Sequence, residues 1–345
     1  MSLMLEEIRQ QPEVLSRILQ QERGKVRQLG AELRKRDIRL IVLVARGSSD
    51  NAAQFGRYLL EIAAGIPVSL AAPSVYTLYG AKLRLEHALV IGVSQSGEGE
   101  DINRVLTEAR ASGAFTAGIT NEAASSMVRL VDIPLLTHGD RERSVAATKT
   151  VTGQMMIFYL VAEALAETSA ITKGYERVPD FCRAALEHEA AIRELVQRYT
   201  FMENCVVLGR GLLYGNAYEM ALKLMETCYV VAERFSTADF FHGPLAMVER
   251  HFPVILFAAP GAMMDGVKAM ARRLQELRAE TVMITSAQEL AAMGSRVIEM
   301  SPEIPESLAP IPYMVPGQLF AALLAEAKGL NPDAPRSLSK VTRTL

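Results

Sequence analysis

The sequence is poor in metal ligands and redox-active cysteine. Its three cysteines, Cys182, Cys205 and Cys228, are far apart and form no CxxC pair. That excludes a disulfide framework and a zinc knuckle, and it fits a reducing, cytoplasmic compartment. The five histidines show no HxxxH spacing, so neither a metal nor a cofactor is expected. Charge of one sign is also lacking. A formal net charge of −2 gives no basic surface for nucleic acid. The best apolar run, "MMIFYLVAEALAE", is interrupted by Glu163 and is too short to span a bilayer, so it reads as a buried helix. The opening "MSLMLEEIRQQPEVL" has no apolar signal core. Neither GxxxxGK[ST] nor a strand followed by GxGxxG occurs, which argues against a nucleotide site.

What is present is the pattern of a folded α/β protein. Half of the 345 residues are hydrophobic, and the length suits two domains. Residues 13–36 read as a charged helix. "IRLIVLVARGSSDNAAQFGRYLLEIA" then gives a β-branched run, a Gly-Ser-Ser turn and an amphipathic helix. A continuous apolar run suits a strand buried on both faces of a parallel sheet. "IPVSLAAP", "HALVIGVSQSGEGED", "FTAGITN" and "VDIPLLT" supply four more strands, with a helix from about Asp101 to Ser112 after the second of these. "VAATKTVTGQMMIFYLVAEALAE" closes this half as a long helix. Strands alternating with helices predict a three-layer, flavodoxin-like parallel sheet.

The second half repeats the first. A shift of 164 positions carries Val42 onto Val206, Arg46-Gly47 onto Arg210-Gly211, His87 onto His251, Val90-Ile91 onto Val254-Ile255 and Gly97 onto Gly261. Two copies of one unit therefore lie in tandem. The expected divisions are an N-terminal helical segment (1–24), a first domain (25–168), a helical linker (169–195), a second domain (196–330) and a C-terminal tail (331–345).

The copies differ in their loops. Ser94, Gln95 and Ser96 of the first correspond to Ala258, Ala259 and Pro260 of the second, and Ser48 and Ser49 to Leu212 and Leu213. The hydroxyls thus sit in one copy only, at the carboxyl ends of strands and ahead of helix N-termini, where α/β sheets bind anions. The competing reading makes Ser48, Ser49 and Ser96 helix N-caps.

The segments "EIRQQP", "ARGSS", "SQSGE", "VAATKT", "EMALKLMET", "FHGPLAMV" and "PRSLSKVT" occur in this order. Together they resemble the sugar isomerase (SIS) family, and in particular the isomerase half of glutamine–fructose-6-phosphate amidotransferases. The resemblance implies two tandem SIS subdomains. It implies a phosphosugar site made by Gly47, Ser48, Ser49, Ser94, Gln95 and Ser96, with the backbone of Val145. Two positions depart from the family: Gly99 stands where a hydroxyl residue is usual, and Ala147 where a serine is usual.

Glu219, Lys223 and Glu226 share one helix face. By spacing alone they read as a solvated charge stripe with an i,i+4 ion pair. The resemblance instead makes Glu226 the base that shuttles a proton between C1 and C2 of the sugar. Lys223 would offset charge on an enediol-like intermediate, and Glu219 would orient Lys223 or a sugar hydroxyl. His242, in "FFHGP", would open the sugar ring from a neighbouring subunit, which implies a homodimer. Lys340 would cap the site and could form a Schiff base with a ketose. In a terminal tail it would otherwise read as a surface charge.

The family's glutaminase domain, with its N-terminal cysteine, is not expected here. The expected reaction is conversion of glucosamine 6-phosphate to fructose 6-phosphate and ammonia. Synthesis from ammonia or with a partner, cleavage of another amino-linked sugar phosphate, and a sugar-phosphate sensor are the alternatives.

Overall fold

A computed structural model describes residues 2–166, 170–338 and residue 340. The boundary expected at 168–169, Ser339 of the tail and the tail beyond 340 lie outside these residues. The chain divides into two compact units. One comprises Glu13–Glu142, Ala147–Glu176 and Ser339–Leu345; the other Met1–Pro12, Arg143–Ala146 and Arg177–Leu338.

The first unit holds a five-stranded parallel sheet: β1 (Leu40–Val44), β2 (Val68–Leu70), β3 (Ala88–Val93), β4 (Phe115–Thr120) and β5 (Ile133–Leu136), in the order β2-β1-β3-β4-β5. Each strand coincides with an apolar run in the sequence. Every residue of β3 and β4 is buried, as covering both faces of a parallel sheet requires. Helix α1 (Ser48–Ala64) follows β1, α2 (Glu100–Ala111) follows β3, and α3 (Lys149–Leu165) closes the unit. The helix expected over 13–36 is two helices, Gln11–Gln21 and Arg23–Leu33. They break at Glu22, which is 1% exposed and whose carboxylate meets His138 Nε2 at 2.6 Å.

The second unit repeats the plan with β6 (Asn204–Gly209), β7 (Val231–Ser236), β8 (Pro253–Ala258), β9 (Glu280–Thr285) and β10 (Arg296–Glu299). Its order, β10-β9-β8-β6-β7, is the first sheet's order with β6 in the place of β1. Helix α4 (Tyr214–Cys228) follows β6 as α1 follows β1, and α5 (Met264–Glu276) follows β8. Helix α6 (Pro310–Ala327) is apolar around its circumference and almost wholly buried, so it serves as a central core helix packed on α4. No helix among the described residues is long and apolar enough to cross a membrane.

Helices α1 and α3 approach closely because Gly56 of α1 leaves room for a ring. A Cβ at position 56 would lie 2.7 Å from the ring of Phe158 on α3. Gly56→Ala should therefore destabilise the first unit by about 1–3 kcal/mol through overpacking, despite alanine's better helix propensity. Denaturant unfolding would show this as a lower midpoint with an unchanged slope.

Candidate functional site

The hydroxyl loops of the first unit are shaped by their own backbone. Gly47 precedes α1 with φ +57°, a left-handed conformation that glycine adopts without strain. Helix α1 begins at Ser48 and α2 follows Gly99, and neither start has a side-chain cap. The N-cap reading of Ser48, Ser49 and Ser96 is therefore not what the fold uses. Instead, Ser49 is buried and its Oγ receives a 3.0 Å hydrogen bond from Gln154 Nε2 on α3. Ser94 Oγ accepts from Gly97 N at 3.1 Å, and Ser96 Oγ from Glu98 N at 3.3 Å. The main-chain oxygen of Gln95 is held by Asn121 N and Thr120 Oγ1. Gly97 has φ +64°, and a Cβ there would collide with Ser125 Oγ. This loop is a tight turn that precedes an uncapped helix N-terminus, which suits an anion.

The second copy fills the corresponding loop differently. Gly261, the counterpart of Gly97, lies against the Glu306 carboxylate, which accepts the Ala262 N–H at 2.7 Å. Ala258, Ala259, Leu212 and Leu213, the counterparts of the hydroxyl residues, are all buried. There the protein supplies its own anion and apolar filling; in the first copy the turn is lined with hydroxyls.

Gly99 has an ordinary φ of −61°, and its Cβ position meets nothing nearer than Ile102 Cδ1 at 3.3 Å. No backbone demand fixes glycine there. Ala147 is half-buried. The Val145 N–H donates to Asp333 O at 3.2 Å.

Just before Ala147 stands a residue that the sequence reading missed. Glu142 is fully buried and accepts from Thr148 N (2.8 Å), Thr150 N (3.2 Å), Thr150 Oγ1 (2.7 Å) and Lys340 Nζ (2.9 Å). Burial works to raise its pKa, but Lys340 and the threonine hydrogen bonds outweigh burial and hold it below the usual carboxylate range. Their stabilisation is thus present above the ordinary carboxylate pKa and is lost as the pH falls through the lower folded value. Lys340 is therefore not a surface charge but half of an ion pair. Nothing in "DRERS" distinguishes Glu142 from its charged neighbours.

In the second unit, α4 carries Glu219, Lys223 and Glu226. They are not a solvated stripe: Glu219 and Lys223 are fully buried, while the Glu226 side chain is 22% exposed. Lys223 Nζ lies 3.4 Å from Glu219 Oε1 and 2.5 Å from Glu226 Oε2. One carboxylate is thus sealed beside the ammonium, and the other links it to the open face. His242 follows the short helix Thr237–Phe241 and is exposed, as are its neighbours Phe241 and Met247. Its imidazole makes no hydrogen bond to the α4 charges among the described residues.

Fold and site together define a duplicated α/β protein with a hydroxyl-lined turn in one copy and a buried ionic triad in the other. Residues 33–164 and 202–325 match the SIS domain model, and the chain belongs to the SIS-domain family. It is 35% identical to glutamine–fructose-6-phosphate aminotransferase [isomerizing] from Gloeobacter violaceus, over 98% of this chain and 58% of that protein. The chain thus spans somewhat more than half the length of the curated relatives it matches. Among solved structures, the C-terminal domain of glucosamine-fructose-6-phosphate aminotransferase from Francisella tularensis is 25% identical, with TM-score 0.87 over 96% of this chain and 98% of that one. A Silicibacter pomeroyi protein provisionally called a phosphosugar isomerase is 30% identical, with TM-score 0.85 over 96% of this chain and all of that one.

Removing the cation from α4 leaves the sealed Glu219 carboxylate without its counter-charge. Lys223→Met should cost about 3–5 kcal/mol at neutral pH, and Glu219→Gln added to it should recover part of that loss. Thermal unfolding of the single and double variants checks both.

Proposed function

We propose that this protein is a phosphosugar isomerase that acts on amino-sugar 6-phosphates, converting glucosamine 6-phosphate to fructose 6-phosphate and ammonia. The observation that carries the reading is the sealed Lys223 on α4, with Glu219 behind it and the partly open Glu226 in front. The names of the relatives supply the substrate class, and the hydroxyl-lined turn at Ser94, Gln95 and Ser96 suits its phosphate.

In the open-chain aldose, Glu226 removes the proton from C2, and the electron pair moves onto the C1 carbonyl. Lys223 stabilises the negative charge developing on O1. Glu226 returns the proton to C1 while O1 gains a proton and the amino nitrogen loses one, which leaves a hydroxyl at C1 and an imine at C2. Water adds to that carbon, ammonia leaves, and the ketose remains. One carboxylate on one face performs both proton transfers. Glu219 is a positioning residue that fixes the ammonium. His242 is assigned to ring opening, with the exposed Phe241 and Met247 beside it offering an apolar surface to a second copy in a homodimer. The three cysteines are free and buried, which agrees with a reducing, cytoplasmic setting.

The hydrolytic direction is favoured because it needs only water as co-reactant. The aminotransferase relatives keep the reverse direction, from fructose 6-phosphate and ammonia, as the second reading.

The test is ammonia release from purified protein given glucosamine 6-phosphate, with galactosamine 6-phosphate in parallel. Glu226→Gln should lower turnover by a factor of about 100 or more while leaving substrate binding intact. Release that survives in the variant would remove Glu226 from the role of base. Binding without turnover in the unaltered protein, in either direction, would favour a sensor.

A further inference from the structure

We propose that Glu142 is the positioning residue for Lys340, docking the C-terminal lysine onto the turn before α3 as a paired ammonium. The Lys340 side chain is 26% exposed, whereas the Glu142 carboxylate is fully buried, and Nζ and Oε2 are 2.9 Å apart. The anchor is rigid. Glu142 also accepts the N–H groups of Thr148 and Thr150 where α3 begins, so its carboxylate cannot swing away without opening that helix end. The tail lysine thus meets a fixed charge.

This has a chemical consequence. An ammonium paired to a carboxylate has no lone pair to attack a ketose carbonyl. In the docked state Lys340 acts as a fixed cation and hydrogen-bond donor. Forming an imine would require the pair to open and Lys340 to lose a proton. Glu142 therefore selects which chemistry the tail lysine performs. The role of Lys340 towards a sugar rests on the function proposed above; the docking itself does not.

The first arm of the test uses no substrate. Folded protein is reductively methylated with formaldehyde and a borane reagent, and modification is read lysine by lysine by peptide mass spectrometry. Lys340 should react about tenfold more slowly than the exposed Lys82, and Glu142→Gln should remove most of that protection. Lys149 is the control for general loosening: it is 2% exposed and sits at the first position of α3. It should stay protected in the variant. Equal reactivity of Lys340 with and without Glu142, or release of Lys149 together with Lys340, would overturn the proposal.

The second arm measures turnover of the Glu142→Gln/Lys340→Met double variant. If Glu142 acts through Lys340, the double variant should be no slower than Lys340→Met alone. A further loss would show that Glu142 acts independently. Failure of the function proposed above would leave the labelling result standing.

Discussion

An ammonium group sealed inside a helix must be neutralised, and that constraint governs the second half of this protein. Lys223 has no solvent contact, so Glu219 and Glu226 are required at one turn to either side of it. The arrangement is costly as a structural device, because apolar side chains would fill the same space at least as stably. Its retention makes sense if the charge is used. The sealed carboxylate holds the ammonium, the ammonium holds the open carboxylate, and the open carboxylate is left at the boundary between interior and solvent. Burial of the first two groups makes the field at the third strong and fixed in direction.

The same scaffold carries different loop residues in each copy. Both sheets have the same strand order, and the loop after the central strand carries a glycine in each, Gly97 after β3 and Gly261 after β8. In the second copy that turn is closed by Glu306, an internal anion on the Ala262 N–H. In the first copy its counterpart is bordered by Ser94, Gln95 and Ser96. The equivalent amide of the first copy, that of Glu98, donates instead to Ser96 Oγ.

Much of this was legible in the sequence. The five strands of the first sheet are apolar runs bounded by turn residues, and the register of the repeat carries them onto the second sheet to within two residues. Parallel sheets announce themselves because both faces are covered. Burial of charge was not legible. The spacing of Glu219, Lys223 and Glu226 is the same for a solvated stripe as for a sealed triad, since helix geometry fixes the face but not what covers it. Glu142 was missed for a similar reason. It stands in a charged loop, and its partner Lys340 is 198 positions away. The break at Glu22 depends on His138, which is equally remote in sequence.

The central claim is that the open carboxylate of the α4 triad moves a proton between neighbouring sugar carbons. Incubation with fructose 6-phosphate in heavy water, followed by NMR, tests it without reference to nitrogen or to the direction of flux. The account predicts incorporation of a single deuterium at C1 with one stereochemical outcome, and its disappearance in Glu226→Gln. Exchange that persists in that variant, or its absence from the native protein while ammonia release proceeds, would contradict it.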